Sequence, residues 1–582
     1  MKSSHQIRQP TLSATPIAKA HEMLSPLAAR TLAVALAAVV FAVYRPALNF
    51  QFILDDHRFV ADPRVQSPGH VWEYFTSYVW AQVTGGPLSF YRPLFLLWMR
   101  LNFIVCGDSP WGWHLLSVGK HVTVAALLGL LVWRLLRDRR AALMAGTLFA
   151  LHPAHTESVA WVTVPDPLMS ACVLGTLLLY LKYADRASAR ARTEPGKSHR
   201  KSRKVRDSGT RPPARWIIAS TVASLAALMA KETAIILPVV VFVLALLSPA
   251  CVDREQADRQ GSPEIRPRLW SGFRETLPFL GVTVFYLLLR LNALGSAISP
   301  PTQHLPLKTV LLSWPATLWF YVKVLFWPVR PRAFADPSLA DTLSLRGVVL
   351  PGLGVLCLVA ILAGLCLMAW RKARNLPDRE AVGIERALLL GSLLLALPLL
   401  LALNLNALNP GDFLHGRYTY LPLCGLMLLL ATGWHLAPKG RIALLSAAGI
   451  VAVGFSVLTV MQESGWKDDL TVFTVAHESA PHNEPVALNL TRAHVQVALG
   501  LDEEDRCDEA MPIFNQAIQQ YPQDWYAWAG RGECLVKLND LAGAEQALRR
   551  ASELSGEPRV LEQWQEVRTM MGLGPAGEQP RR

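Results

Sequence analysis

Two adjacent carboxylates, Asp55 and Asp56, follow the first apolar stretch of the chain within FILDDHRFVADPRV. A carboxylate can accept a proton from an attacking hydroxyl group, so this pair could supply a general base where the chain leaves that stretch. A capping or hydration role at the end of the stretch is the alternative. Adjacent side chains point in different directions on any backbone, so we expect one of the two to act as the base and prefer Asp55.

Further ionisable residues stand at the ends of later apolar stretches, where a charge is costly in lipid and usually functional. Lys231 and Glu232, in LMAKETAI, form either an ion pair that caps a turn or a phosphate site. Arg417, in HGRYTYLPL, contacts a lipid phosphate or simply reaches the interface. The other candidates are Arg92, His152, His155, Glu157, Asp166, Asp412 and His415. A His-x-x-His pattern alone is weak, so we predict no metal site.

The composition predicts an integral membrane protein, since 52% of the 582 residues are hydrophobic and only 17% are charged. The net charge of +13 comes in bursts between apolar stretches. This pattern favours cytoplasmic anchoring of membrane spans over nucleic-acid binding. The eight cysteines are scattered and lack CxxC spacing, which argues against a zinc site or a disulfide framework.

About eleven stretches are long and apolar enough to cross a bilayer as helices. They are 31–48, 111–133, 141–160, 166–183, 215–230, 234–251, 277–295, 347–370, 387–405, 420–437 and 442–461. If the basic N-terminus is inside, every inside loop is rich in Lys and Arg, as the positive-inside rule requires. All the candidate residues then lie on the outside, where they could line one cleft.

The predicted fold class is all-α, a polytopic helical bundle followed by a helical repeat domain. Its parts are a cytoplasmic tail (1–30), a membrane domain (31–461), an outer repeat domain (462–575) and a short tail (576–582). Within the membrane domain, 186–215 is basic and low in complexity, so we expect a disordered cytoplasmic loop that could contact anionic lipids. Leu307 to Pro328 is apolar, but a crossing there would place the following basic loops outside, so we predict a re-entrant or interfacial course.

The C-terminal region shows the spacing of tetratricopeptide units. One copy comprises Trp528, Gly532, Leu535, Ala544, Leu548 and Ala551; another comprises Ala510, Phe514, Ala517 and Pro522; Phe473, Ala476 and Pro481 form a partial copy. Such a concave stack usually binds a peptide or protein, and a purely structural cap is the alternative. Cys507 and Cys534 lie here; an outside location would permit a disulfide, which we do not predict.

Together, FILDDHRFVADPRV, YRPLFLLWMRLNFIVCGDSPWGWHLLSVGKH, LFALHPAHTESVAWVTVPDPL, LMAKETAI and HGRYTYLPL, followed by the repeats, resemble a known family. The pattern is similar to the transmembrane and tetratricopeptide repeat-containing O-mannosyltransferases and their bacterial relatives, over residues 45 to 555. The resemblance implies a GT-C fold glycosyltransferase that takes a sugar, possibly mannose, from a polyprenyl-phosphate carrier on the outer face. A bacterial member would sit in the inner membrane with periplasmic repeats.

The resemblance also implies roles for individual residues. Asp55 or Asp56 would be the catalytic base, and Lys231, Arg417 and Arg92 would bind the donor phosphate. The outer-loop cleft would contain His155, Glu157, Asp166 and Glu232. A base and a departing phosphate on opposite faces of the sugar give inversion at the anomeric carbon. A monophosphate leaving group needs less neutralisation than a diphosphate, so no metal or other cofactor is expected.

Two other functions are compatible with parts of the sequence. A membrane-anchored scaffold that has lost activity would tolerate replacement of Asp55 and Asp56. A transporter of lipid-linked sugars would carry charged residues deep inside several spans, whereas the candidates here gather at the outer ends. The glycosyltransferase remains our prediction, with membrane lipids, a polyprenyl-phosphate sugar, an acceptor protein or glycan, and a protein held by the repeats as partners.

Overall fold

The computed structural model describes residues 26–81, 90–193, 214–247, 265–296, 304–329, 339–407 and 414–574, and within them the regular structure is entirely helical. This agrees with the predicted all-α class. Before the repeats, the α-helices are α1 Pro26–Val43, α2 Asp55–Ala61, α3 Pro63–Gln66, α4 Glu73–Thr76, α5 Pro93–Cys106, α6 Pro110–Leu136, α7 Arg139–Ala150, α8 Thr156–Ala160, α9 Asp166–Thr193, α10 Ala214–Ala230, α11 Leu237–Leu246, α12 Ile265–Leu294, α13 Leu307–Phe326, α14 Leu350–Ala373, α15 Asp378–Leu401, α16 Tyr420–His435 and α17 Arg441–Glu463.

Seven helices of the described residues are long and apolar enough to cross a membrane, so the chain is a multi-pass membrane protein. Their segments are Pro110–Leu136, Asp166–Ala187, Leu269–Leu294, Leu307–Phe326, Leu345–Ala373, Asp378–Leu401 and Pro438–Trp466. The centre of the bundle is α6, which packs against α7, α9, α15 and α16 around one large apolar core.

Two expectations about the spans need correction. Residues 141–160 do not form one continuous helix, because α7 ends at Ala150 and the chain turns at His152 and Pro153, a sequence that disfavours helix continuation. Helix α9 continues to Thr193, so the first residues of the segment expected to be disordered are helical. The rest of that segment up to residue 213, Asp412 and the terminal tails lie outside the described residues.

Helix α13 is apolar apart from Lys308 and Lys323, and residues near both of its ends contact segments predicted to be outer loops. Near its start, Leu305 N donates to Asn406 Oδ1 at 2.8 Å. Near its finish, the carbonyl of Leu325 contacts His152 Nε2 at 3.2 Å. Asn406 and His152 both belong to segments that the sequence predicts to be outer loops. The segment is nevertheless one of the seven helices long and apolar enough to cross a membrane, so its interfacial course stays a prediction.

Ion pairs at the opposite end of the bundle join the loops predicted to be inside. Asp185 bonds to Arg134 at 2.6 Å and to Arg386 at 3.2 Å. Asp138 bonds to His435 at 3.2 Å. Helices α6, α7, α9, α15 and α16 therefore share one basic end, and the candidate catalytic residues collect at the other.

The C-terminal helices form antiparallel pairs. They are α18 Asp469–Ser479, α19 Glu484–Glu503, α20 Cys507–Gln520, α21 Trp525–Lys537, α22 Leu541–Ser555 and α23 Pro558–Met570. Small residues allow the close approach that the repeat pattern predicts. A Cβ atom at Gly532 would lie 2.6 Å from Leu548 Cγ, and one at Gly530 would lie 2.5 Å from the Phe514 ring. Glycine at these positions is therefore required by packing.

Candidate functional site

The connection between α7 and α9, residues 152–166, is almost completely buried; we call it the junction segment. Buried backbone and polar side chains need hydrogen-bond partners, and a segment whose regular structure is limited to the short α8 must find many of them elsewhere in the chain. The junction segment finds them in α6, in the connection after α1, in the turn between α10 and α11, and in the loop before α16. It thereby collects most of the candidate residues at one place.

Asp166, at the end of the junction segment, is paired with Lys231. The ammonium nitrogen lies 2.7 Å from each carboxylate oxygen, and both side chains are buried. Burial lowers the pKa of Lys231; Asp166 opposes this effect, whereas Arg92 and Arg417 add to it. The turn-capping pair between Lys231 and its neighbour Glu232 is therefore not formed. Three cations lie close enough to influence one another.

Glu232 instead binds two arginines. Arg92 donates to its Oε2 from Nε at 3.0 Å and from Nη2 at 2.8 Å, which holds the guanidinium in a fixed orientation. Arg290, near the C-terminal end of α12, places its Nη1 3.4 Å from Oε1. Sequence reasoning missed Arg290, although a lone arginine inside an apolar stretch is a signal that could have found it.

Glu157, in the junction segment, fixes the loop before α16. Its Oε1 contacts His415 Nδ1 at 2.9 Å, and its Oε2 accepts a hydrogen bond from the backbone N–H of Arg417 at 3.0 Å. The Arg417 guanidinium lies over the Trp161 ring, 4.6 Å from its centroid, and its Nε is 3.7 Å from Glu157 Oε1. Stacking on Trp161 and the nearby carboxylate of Glu157 thus both help to hold the side chain of Arg417.

Two of these cations, Lys231 and Arg417, lie close to the ring of Tyr418. Lys231 Nζ is 5.0 Å and the Arg417 guanidinium 5.8 Å from the centroid of its ring. We call Arg92, Lys231, Arg290 and Arg417 the basic cluster. Four cations thus lie close together, and within the described residues their ion pairs are made with three carboxylates, Glu157, Asp166 and Glu232. Such a site favours an anionic ligand, and phosphate is the anion that arginine forks match in shape.

The connection after α1 contains Asp55 and Asp56; we call residues 51–57 the acidic loop. Asp56 is fully buried, and its Oδ1 accepts hydrogen bonds from Thr163 N at 3.1 Å and Thr163 Oγ1 at 2.7 Å. Its Oδ2 accepts one from Ile53 N at 3.2 Å. Burial raises the pKa of Asp56 to about 7 despite these hydrogen bonds. Asp55, in contrast, is partly exposed.

Two further contacts that sequence reasoning missed hold this arrangement. Lys120, from the middle of α6, donates to the carbonyl of Val162 at 3.2 Å, beside the threonine that binds Asp56. Asp469, the first residue of α18, accepts a hydrogen bond from Leu54 N at 2.8 Å. Lys120 could have been found from the sequence, because it is a charged residue within an apolar helix. Nothing in the local sequence distinguishes Asp469 from Asp468, the acid before it.

His155 does not join the charged network. It is fully buried and packs against Phe149 and Tyr420, with ring centroids 4.3 and 4.5 Å apart, and against His121 at 4.9 Å. It lies in the aromatic interior of the bundle. Among the contacts of the described residues, none links His155 to the basic cluster.

Within the described residues, one group of side chains has the spacing of a metal site, and it lies in the repeats. Cys507 and Cys534 donate to Asp502 Oδ1 at 3.0 and 3.1 Å. Lys537 Nζ is 3.2 Å from the same oxygen. A lysine ammonium already supplies the positive charge there, so the group is a satisfied hydrogen-bond network.

Comparisons with known proteins agree with the sequence resemblance. A family model described as a tetratricopeptide repeat matches residues 503–562, which confirms the two copies predicted there; the partial copy at Phe473, Ala476 and Pro481 lies outside the match and stays a prediction. The crystal structure of the apo oligosaccharyltransferase of Archaeoglobus fulgidus aligns with 80% of this chain and 60% of its own, at 12% identity and a TM-score of 0.44.

Curated relatives cover more of the chain. Protein O-mannosyl-transferase Tmtc1 of Drosophila melanogaster is 27% identical over 88% of this chain and 63% of its own length. Human protein O-mannosyl-transferase TMTC3 is 24% identical over 89% of this chain and 54% of its own length. The chain thus spans between half and two thirds of these relatives. Over most of its own length, it is similar to curated protein O-mannosyl-transferases.

Proposed function

We propose that this protein is a membrane glycosyltransferase that moves a sugar, with mannose the first choice, from a polyprenyl-phosphate carrier to a hydroxyl group of a protein or glycan. The observation that carries the proposal is the basic cluster, whose four cations lie beside the junction segment that also binds the acidic loop. A departing lipid phosphate needs that charge, and an attacking hydroxyl needs a base.

Lys231, Arg417 and Arg92 bind the donor phosphate in this proposal. Each has a carboxylate partner in the absence of donor, which holds the cation in position before the phosphate arrives. The backbone N–H of Arg417 keeps Glu157 bound, so the guanidinium, 3.7 Å from that carboxylate, can turn to the phosphate without releasing the loop. Glu157, Asp166 and Glu232 thus orient the cations, and His155 supports the fold beneath them.

Asp55 is the proposed catalytic base and Asp56 supports it. Asp56 has both oxygens engaged by Thr163 and Ile53 and is fully buried, so an acceptor hydroxyl cannot reach it without breaking those bonds. Asp55 is partly exposed at the start of α2. Attack from its side and departure of the phosphate toward the basic cluster give inversion at the anomeric carbon.

The proposed topology has eleven crossings, with the N-terminus cytoplasmic and the repeats on the extracytoplasmic face of a bacterial inner membrane. It treats α13 as interfacial, in keeping with the contacts of both its ends at the end where the acidic loop lies. The repeats would recruit the acceptor or a partner protein.

The test is sugar transfer by purified protein in nanodiscs, given radiolabelled polyprenyl-phosphate mannose or related donors and a membrane extract of its host. We expect transfer by the wild type and a loss of about 10²- to 10⁴-fold in Asp55→Asn, the usual effect of removing a general base. Size-exclusion profile and melting temperature must match those of the wild type. Inactivity of the wild type with every donor, or full activity of both Asp55→Asn and Asp56→Asn, would reject the proposal in favour of a scaffold.

A further inference from the structure

One carboxylate from the C-terminal domain holds both sides of the Asp55–Asp56 pair. Asp469 Oδ1 accepts a hydrogen bond from Leu54 N at 2.8 Å, and its Oδ2 lies 3.1 Å from His57 Nε2. Asp469 and Leu54 are 415 residues apart in the sequence. The bonds therefore join the first helix after the membrane domain to the loop that carries the proposed base.

Leu54 adopts a backbone conformation that a leucine avoids. Its φ of 53° and ψ of −121° belong to a region that glycine enters freely, and a side chain there is strained. Such strain persists only where surrounding contacts enforce it, and it is concentrated at functional sites. The turn that contains Leu54 is closed by Asp56 N, which donates to the carbonyl of Ile53 at 2.9 Å, and Leu54's own N–H is held by Asp469. Asp55 follows as the next residue.

Other contacts fasten the same two segments together. Gln51 N donates to the carbonyl of Lys467 at 2.9 Å. Trp466 stacks on Trp161 of the junction segment, with ring centroids 6.5 Å apart and planes 24° from parallel. Phe50 and Ile53 belong to the same buried apolar cluster as these two rings. The acidic loop, the junction segment and the start of the C-terminal domain thus form one packed unit.

Asp469 is not needed to begin its own helix. The N-cap of α18 is Asp468, whose Oδ1 accepts from Thr471 N at 2.8 Å and from Thr471 Oγ1 at 2.6 Å. A side chain at the N-cap satisfies the free N–H groups of the first turn. Because Asp468 does this, the carboxylate of Asp469 is available for the acidic loop.

We infer that Asp469 is a positioning residue, which holds the acidic loop in the strained conformation that presents Asp55 to the donor. The expected effect on kcat rests on the proposed function. The expected effect on the conformation of the acidic loop rests on geometry alone. It makes the C-terminal domain part of the transfer site as well as a recruiting surface: a repeat domain that shifts relative to the bundle changes the position of the base.

The kinetic test compares Asp469→Ala, Asp469→Asn and the neighbouring control Asp468→Ala in the transfer assay. Asp469→Ala should lower kcat by about tenfold or more and leave the donor KM within about twofold, since the basic cluster is untouched. Asp469→Asn keeps an acceptor for Leu54 N and should retain most of kcat. Asp468→Ala weakens only the helix cap, so its kcat should be near that of the wild type.

A rescue separates positioning from general damage. Adding Leu54→Gly to Asp469→Ala should restore part of the lost kcat, because glycine adopts the required φ without strain. If Asp469→Ala and Asp468→Ala lose kcat equally, or if Leu54→Gly restores nothing while the double variant is folded, Asp469 does not position the base.

Hydrogen–deuterium exchange tests the same contact without any activity. Peptides covering residues 50–57 should exchange faster in Asp469→Ala than in the wild type or Asp468→Ala. Unchanged exchange would overturn the inference even if the enzyme were active. Faster exchange in Asp469→Ala, together with a wild-type protein that transfers no sugar, would reject the proposed function and keep the structural role. Faster exchange in Asp469→Ala with an unaltered kcat would reject positioning.

Discussion

Lys231 Nζ lies 2.7 Å from both carboxylate oxygens of Asp166, and the two side chains are buried together at the end of the bundle that carries the acidic loop. The pair joins the turn after α10 to the first residue of α9. A buried pair of this kind contributes little net stability over an apolar replacement, but breaking it leaves one charge without compensation. Its persistence beside Arg92 and Arg417 is more easily explained by ligand binding than by stability.

The first prediction compares the removal of one partner of this pair with the removal of both. Lys231→Met should destabilise the protein by about 3–5 kcal/mol, because Asp166 is left buried and unpaired. The double variant Lys231→Met with Asp166→Leu should recover most of that loss and still fail to transfer sugar. Thermal unfolding and the transfer assay check the two effects, with the exposed Lys439→Met as control. Transfer restored in the double variant would show that Lys231 does not contact the donor.

Arg417 should affect donor binding more than folding. In Arg417→Gln, Glu157 keeps the backbone N–H of residue 417 and His415 as partners, so the melting temperature should change little. Loss of a charged hydrogen bond to phosphate should raise the donor KM by about 10- to 100-fold. Initial rates against donor concentration measure it.

The matched control for Arg417 is Arg441→Gln. Arg441 lies 3.7 Å from Asp138, and that carboxylate also binds a histidine, His435, at 3.2 Å, at the opposite end of the bundle. Equal changes in donor KM from the two substitutions would mean that neither arginine acts locally on the donor.

Asp56 should make stability depend on pH. Its pKa is raised by burial from 3.8 to about 7, so the folded state favours the protonated form. The stability it contributes is fully present below pH 3.8, declines as pH rises toward 7, and is lost above it. Asp56→Asn keeps an acceptor for Thr163 and has no proton to lose. The melting temperature of wild type relative to Asp56→Asn should therefore fall between about pH 4 and 7; a difference independent of pH would contradict this.

The repeats should respond to the bulk of a single methyl group. Gly532→Ala places a Cβ 2.6 Å from Leu548 Cγ and 3.4 Å from its backbone nitrogen. Overpacking of this kind costs about 1–3 kcal/mol. The control, Gly500→Ala, has no atom within 4 Å and should stabilise α19 by about 0.5–1 kcal/mol. Limited proteolysis of the repeat region, within the whole protein, measures the stability change in both variants. Equal cleavage of the two would refute the packing argument.

Much of the fold could be predicted because the signals are local. Apolar length and repeat spacing are properties of contiguous residues, so helices lie within all the predicted spans. Only six of those spans are among the seven helices long and apolar enough to cross a membrane, and 141–160 contains a break. That break depends on a turn at His152 and Pro153 whose burial is a tertiary property. The charges near the span ends were equally visible, since the energetic cost of a charge in lipid makes each one conspicuous.

Partner choice could not be predicted in the same way. The sequence suggested Lys231 and Glu232 as a pair because they are neighbours, whereas the fold pairs Lys231 with Asp166 and Glu232 with Arg92 and Arg290. Which carboxylate faces which cation depends on how helices far apart in sequence are packed. The role of Asp469 is the extreme case, because its two neighbours in space lie near the other end of the chain.

That separation has a consequence for biosynthesis. The acidic loop is made early, but the residue that holds Leu54 in its strained conformation is made 415 residues later. At roughly 5–20 residues per second, a ribosome needs about 20–80 s to cover that distance. During this time the bundle can insert while the loop lacks its restraint. The site therefore reaches its final geometry only when the chain beyond the last membrane helix has emerged, and a protein truncated before residue 469 would be inserted without an ordered acidic loop.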